Sequence, residues 1–385
     1  MKHILFIIPS MEFGGTRSSL INLLYNLKDY KDYIVDLFIV NHEGDLVDQI
    51  PNWVTVLPEY RVVSYALPNI RRRNSLTVIY HTFIAILNRC IGYKNTFNIL
   101  CNISGCKLFK DKNKYDVVIA YQEGLSVLIG SQIKSRKHII WIHSDIDKWY
   151  SKHTFERKAF NDANNIIFVA ENTKKMFLKM FPEYECKTSV IKNTLNIDDI
   201  IKKSKIKIND IPHSNGLNLI SIGRFTEAKA FDRIVFVCKE LKNRKYKFQW
   251  TIVGNGKLYN EICKLAIDNE VDDVINFVGA QSNPFCYIEN ADVVVVSSIN
   301  ESQPMVILES LILSKPIVTT AFGSAKEILE DGKYGLICNN DINSLLVAID
   351  SLFSDIKIMP KLLRCAQEYK YDNKMYIEKL LNLVG

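Results

Sequence analysis

Short apolar runs alternate with amphipathic stretches along most of this chain. HILFIIPS has the length of a buried strand, and TRSSLINLLYNL after it carries its apolar positions at helical spacing. IVDLFIV reads as a second strand and TVLP as the end of a short third. YDVVIAY, HIIWIHS, NIIFVA and SVIKN are further apolar runs of strand length. Repeated strand–helix units imply an α/β fold with a parallel sheet and helices on both faces. The pattern then breaks over Asp199–Asn218, which is polar, basic and turn-rich and reads as a linker. It restarts with NLISIGRF, FQWTIVGNG, VINFVG, ADVVVVSS, KPIVTT and YGLICNN.

The pattern therefore predicts two doubly wound, Rossmann-like domains facing a central crevice. The first spans 1–198, the linker 199–218 and the second domain 219–365, and a C-terminal helix over 366–385 is placed to cross back to the first domain. Ligands bind such sheets at the carboxyl ends of their strands. The length of 385 residues agrees, since domains of ~150 residues give two to three. Apolar residues make up 48% and charged residues 24%, as in globular proteins with real cores. A net charge of +7 suits anionic lipid or a phosphorylated substrate and is too modest to argue for nucleic acid.

Nine cysteines are scattered without a CxxC pair, and Cys101 and Cys106 lack partners at zinc spacing. That usage points to free thiols in a reducing compartment. The opening MKHILFIIPSM has an apolar run of only Ile4–Ile8 and no small-residue cleavage site. No apolar run approaches the ~18 residues of a membrane span. Leu76–Leu87 comes nearest and is broken by His81.

The richest chemistry lies in ESQPMVILE, Glu301 to Glu309. Glu301 reads as a loop residue beyond a strand, Pro304 as suited to a first helical turn, and Glu309 as a residue inside that helix. A helix start attracts anions, so two carboxylates around it make a site for a phosphorylated sugar. The alternative is a surface loop and a helix with two solvated acids. Gly14-Gly15 closes the first strand and lets a phosphate or sugar approach the backbone. Arg224 and Lys229 follow the first strand of the second half, as a diphosphate clamp or as an ordinary basic loop. VGNGKL holds Gly254 and Gly256 but lacks the full dinucleotide fingerprint. His143 stands at a strand end, either structural or near a reacting centre. Asp145 and Asp147 form a D-x-D that this two-domain pattern leaves without a metal to hold. Pro68–Lys112 carries Arg71, Arg72 and Arg73 before an aromatic run with His81, Phe83, Arg89, Tyr93 and Lys94. Such a segment either lies on an anionic membrane or packs on the first domain with its arginines solvated.

Together these segments resemble the family-4 glycosyltransferases of the GT-B fold, over nearly the whole chain. FGGTR, GRFTEAKAFD, VGNGK and ESQPMVILESLILSKPIVTT stand in the family's order and spacing. MEFGGTRSSLINLL, EGDLVDQI, IIWIHSD and SNPFCYIENADVVVVSS are similar to enzymes that build bacterial capsules and O-antigens. The resemblance implies a retaining, metal-independent hexosyltransferase without a cofactor. Its donor is expected to be a UDP-sugar and its acceptor a lipid-linked saccharide in surface polysaccharide (lipopolysaccharide, capsule, O-antigen) synthesis. It implies a cytoplasmic enzyme, peripheral on the anionic inner face of the cytoplasmic membrane.

By the same resemblance Arg224 and Lys229 hold the diphosphate, and Gly254 lies in the nucleotide pocket. Gly15 approaches phosphate and sugar, Glu309 binds the ribose, and Glu301 faces the transferred sugar. The backbone of Gln303, Pro304, Met305 and Val306 forms the anion-binding helix start, and His143 lies near the reacting centre. Two positions depart from the family pattern: Arg17 stands where many members have Glu, and Gln303-Pro304 replaces Phe-Gly or Phe-Pro. Two other readings share the fold. A non-catalytic GT-B partner would be expected to lack Arg224, Lys229 or Glu301. A sugar-nucleotide epimerase needs further acid/base carboxylates.

Overall fold

The computed structural model describes residues 1–42, 44–59, 83, 84, 86, 87, 89–91, 96, 99, 114–144, 156–208, 212 and 214–385. The D-x-D of Asp145 and Asp147, the arginines Arg71–Arg73, and His81, Tyr93, Lys94, Cys101 and Cys106 lie outside the described residues. Two compact units account for the chain. The first comprises Met1–Val169, Lys174–Thr194 and Lys374–Gly385, and the second Ala170–Thr173 and Leu195–Asn373.

Among the described residues the first unit is built on seven parallel strands: β1 Lys2–Ile8, β2 Tyr33–Ile39, β3 Thr55–Val56, β4 Tyr115–Ala120, β5 Ser135–Ile142, β6 Asn165–Phe168 and β7 Thr188–Val190. Their order across the sheet is β3-β2-β1-β4-β5-β6-β7. The last five residues of β1 and of β2 are all buried, and apart from Asp36 in β2 they are apolar throughout rather than alternating. The helix Gly15–Leu27 buries Leu20, Ile21, Leu23, Leu24 and Leu27, the helical-period stripe visible in the sequence. The final helix, Asn373–Val384, belongs mostly to this unit, where the Lys137 ammonium donates to Leu383 O at 3.0 Å.

Among the described residues the second unit has six parallel strands: β8 Leu217–Ile222, β9 Phe248–Val253, β10 Ile275–Gly279, β11 Val293–Val296, β12 Ile317–Thr320 and β13 Leu336–Cys338. The order is β10-β9-β8-β11-β12-β13. One core cluster joins Ile234, Val235, Trp250, Ile252, Leu345 and Ile349. The other joins Ile220, Val294, Ile307, Leu311, Ile317 and Leu329. The indole N–H of the fully buried Trp250 is satisfied by Ser221 Oγ at 3.1 Å, and that hydroxyl donates in turn to Val295 O at 2.7 Å. The stretch read as a linker from Asp199 begins inside a helix, Ile197–Ser204. The Asn196 side chain caps it by accepting from Asp199 N at 3.3 Å, and Ile200 buries its apolar face.

Both sheets reverse direction once, between β1 and β4 in the first unit and between β8 and β11 in the second. The loops leaving those strands are therefore where a doubly wound sheet collects ligand-binding residues. No helix among the described residues is long and apolar enough to cross a membrane.

Candidate functional site

In the second unit the loop leaving β8 holds Gly223, Arg224 and Lys229, and the loop leaving β11 holds Ser297, Ser298 and Glu301. Because β8 and β11 flank the reversal, the two loops run side by side. Ile299 N donates to Ala228 O at 2.7 Å, and Ser297 Oγ to Lys229 O at 2.8 Å. The Lys229 ammonium lies against Glu301 Oε1 in a short, mostly covered ion pair. Ser298 Oγ donates to the same oxygen at 2.9 Å, and Ser324 Oγ to Glu301 O at 3.1 Å. Thr320 Oγ1 holds Ser298 O at 2.5 Å. Glu301 Oε2 receives no hydrogen bond from a described residue, so one carboxylate oxygen faces outward.

Glycines make this close approach possible. A Cβ on Gly223 would stand 2.9 Å from Lys229 Cε, so the lysine stem crosses where only hydrogen fits. Gly254, with φ +143, packs so closely that a Cβ would lie 1.9 Å from Gly223 O. Arg224, next to Gly223, is exposed.

Pro304 caps the helix Met305–Ile312 with φ −68, one position before the helix proper. Its missing N–H costs nothing there; Ile307 N donates to Pro304 O at 3.2 Å, and the N–H groups of Met305 and Val306 remain without intrahelical acceptors. The side chains of Gln303, Met305 and Val306 are buried, so Met305 and Val306 present only main chain. Glu309 follows one turn later in a helix whose other residues are largely buried and apolar. It keeps some surface but lies deep among neighbours. Burial pushes its carboxyl up to about 7, and the nearby Lys229 charge pulls the other way. The structure thus brings together Lys229, Glu301, Glu309 and the helix start.

The first unit has its own cluster at the reversal. Gly15 opens the helix Gly15–Leu27 after β1. Arg17 donates from Nε to Ser10 O at 3.2 Å. Tyr121 follows β4, and its hydroxyl shares a 3.1 Å hydrogen bond with Ser19 Oγ. His143 follows β5, with its ring 4.7 Å from Tyr121 and stacked at 6.0 Å on Trp141. Burial first, and then the Arg17 charge, pushes the imidazole down to about 3. The ring is therefore neutral at pH 7, and its buried Nε2 has no hydrogen-bond partner among the described residues. The sequence reading did not single out Glu123. This buried carboxylate accepts from His143 N at 3.0 Å and from Ser144 Oγ, and so fixes the turn that carries the histidine. Its signal was an acid just beyond a strand end in YQEG, the same kind of placement that marked Glu301.

Known proteins resemble this chain in sequence and fold. Residues 202–370 match the family model described as "Glycosyl transferases group 1". An uncharacterized glycosyltransferase of Methanocaldococcus jannaschii is 23% identical over 375 residues, 94% of this chain and 92% of its own length. An uncharacterized glycosyltransferase of Haemophilus influenzae is 23% identical over 57% of this chain, and the match spans only 61% of that relative's length. The lipopolysaccharide core biosynthesis glycosyltransferase LpsE of Rhizobium meliloti is 28% identical over 45% of this chain and 49% of its own. Among solved structures, Anabaena HepE in complex with UDP and glucose superposes with a TM-score of 0.69 at 18% identity, covering 99% of both chains. TarM of S. aureus, solved with UDP, gives 0.70 at 17% identity over the full length of both. Residues 202–370 are thus similar to the group 1 glycosyl transferases, and the two parallel sheets give the chain the GT-B fold.

Proposed function

We propose that the protein is a retaining glycosyltransferase of family 4 that moves a hexose from a UDP-sugar to a lipid-linked glycan during surface polysaccharide synthesis. One observation carries the reading. Lys229 and Glu301 meet at the strand reversal of the unit that matches the family, beside an open helix start and with Glu309 one turn behind. Arg224 and Lys229 neutralise the leaving diphosphate together with the first-turn N–H groups of Met305–Ile312, so the reaction needs no bound metal. Glu301 Oε2 faces the sugar, and its negative charge steadies the positive charge that grows at the anomeric carbon as the bond to the diphosphate breaks. Glu309 accepts from the ribose hydroxyls. Neutral His143, which the family resemblance assigns to the reacting centre, is expected to offer a hydrogen bond rather than an imidazolium proton. The acceptor oxygen takes the place of the diphosphate with configuration kept, and its proton leaves with the diphosphate.

The polysaccharide assignment draws on LpsE and on the colanic acid glycosyltransferase WcaL of Escherichia coli, to which this chain is also similar. The donor assignment draws on the UDP bound to HepE and TarM. A mildly basic chain with Arg71–Arg73 favours a peripheral place on the cytoplasmic face of an anionic membrane.

The test is nucleotide release from a panel of UDP-, GDP- and ADP-sugars by wild type and Glu301→Gln. Turnover with a UDP-sugar that collapses in Glu301→Gln, with UDP affinity kept, supports the reading. No turnover with any sugar nucleotide, or full activity of the variant, refutes it.

A further inference from the structure

Lys229 and Glu301 come from different loops, 72 positions apart, yet meet in a short ion pair. A flexible four-carbon stem and a mobile carboxylate do not hold one geometry unaided, because each has rotamer entropy to lose. What fixes them is the pair of serines that ends β11. Ser297 Oγ donates to Lys229 O at 2.8 Å, on one side. Ser298 Oγ donates to Glu301 Oε1 at 2.9 Å, on the other. Both serines are 1% exposed, so neither hydroxyl has water as an alternative. Their backbone is held in turn: Arg233 Nη1 donates to Ser297 O at 3.2 Å, and Thr320 Oγ1 to Ser298 O at 2.5 Å. Arg233 is itself steadied by Asn340 Oδ1 at 2.6 Å.

We propose that Ser297 and Ser298 are positioning residues, a two-hydroxyl bracket that sets the phosphate-side lysine and the sugar-side carboxylate in register. The inference rests on the glycosyltransferase reading of Glu301 and Lys229. Its chemical content is specific. With Oε1 occupied by Ser298 and Lys229, the carboxylate cannot spin, and Oε2 alone is turned to the substrate. Without Ser298 the carboxylate rotates about its last bond and offers the sugar a distribution of poses.

The experiment is kinetic. Ser298→Ala should lower kcat about 10- to 100-fold, the range for losing a hydrogen bond to a charged group. UDP affinity should stay within about twofold, because this buried hydroxyl is already engaged with the Glu301 carboxylate. Ser298→Thr, which keeps the donor, should recover to within about fivefold of wild type. In a Glu301→Gln background, Ser298→Ala should cost nothing further, because the group it positions has already lost its charge. Ser297→Ala should act on the other arm and weaken UDP binding more than kcat. An unchanged kcat in Ser298→Ala overturns the proposal. So does an equal loss with and without the Glu301 charge, since a merely structural serine behaves that way. Wild type inactive on every nucleotide sugar removes the functional reading and this inference with it. Active wild type with an indifferent Ser298→Ala removes only the inference.

Discussion

Glu309 should make the fold less stable as pH rises, and replacing it with glutamine should remove that dependence. Burial raises the carboxyl from the ordinary 4.5 to about 7, and the opposing pull of Lys229 does not cancel it. Below pH 4.5 the group is protonated in folded and unfolded chains alike and contributes nothing. Between 4.5 and about 7 the unfolded chain releases a proton that the folded chain retains, so stability falls with pH. Above 7 both states are ionised and the penalty is constant. At 1.36 kcal/mol per pH unit the gap between 4.5 and 7 sets a ceiling of about 3 kcal/mol. Glu309 keeps some exposed surface, which lets water screen the charge and brings the figure to about 2 kcal/mol.

Glu309→Gln preserves the shape and has no proton to lose. Thermal unfolding of wild type and variant, without nucleotide, should nearly coincide at pH 5. At pH 8 the variant should melt about 4–8 °C higher, the shift expected for ~2 kcal/mol in a domain of this size. The same acid should then show its use in binding. In the proposed role ribose hydroxyls donate to the ionised form, so the wild-type affinity for UDP should rise from pH 6 to 8 and that of the variant should stay flat and weaker. A stability gap that is the same at both pH values, or a wild type more stable at pH 8, would refute the reasoning. It would mean that Lys229 or water already compensates the charge.

Losing either cation of the clamp should cost ~1.5–3 kcal/mol of transition-state stabilisation. Arg224→Ala and Lys229→Ala should therefore each lower kcat/KM by roughly 10- to 150-fold while remaining folded, and wild-type turnover in either would exclude that residue. Excess EDTA should leave transfer intact; loss of activity with rescue by Mn²⁺ would point to a metal–nucleotide site instead. Sedimentation with vesicles should require anionic lipid and weaken with salt, at ~1 kcal/mol for each basic residue near the surface. Equal binding to neutral vesicles would count against Arg71–Arg73 as the anchor.

The alternation of apolar runs with amphipathic stretches was enough to read two parallel α/β sheets, because strands buried on both faces appear as unbroken apolar segments. VVVV of β11 and IVTT of β12 are buried at every position and could be little else. Spacing also told that Glu309 sits inside a helix, since Pro304 announces the helix start and the apolar run continues past it. The serine bracket was not legible. Ser297 and Ser298 look like any small polar pair after a strand; Ser298 bonds Glu301 three positions on, but the partner of Ser297, Lys229, belongs to the loop after β8, 68 positions earlier. Only the strand order, with β11 beside β8, brings them together. The helix Ile197–Ser204 was hidden for a local reason. Its lysines and paired aspartates mask a short apolar face, and the capping Asn196 lies just before the stretch read as a linker.

Two glutamates eight positions apart thus meet opposite surroundings, and in the proposed reaction those surroundings divide their work. Glu301 is held at the strand reversal by a lysine, a serine and a backbone anchor, which together hold its carboxylate in one orientation. A charge kept in place before substrate arrives needs no reorganisation when positive charge develops beside it, and that is the requirement for acting on the transition state. Glu309 has no such donors among the described residues, and burial works against its charge. It becomes comfortable as a carboxylate only when hydroxyls are brought to it, and that is the requirement for acting in binding. Exchanging the two environments while keeping both acids, rather than deleting either, would break the division: a serine donor lost from Glu301 loosens catalysis, and a donor engineered beside Glu309 would strengthen the free fold at high pH while weakening its pH-linked grip on the ribose.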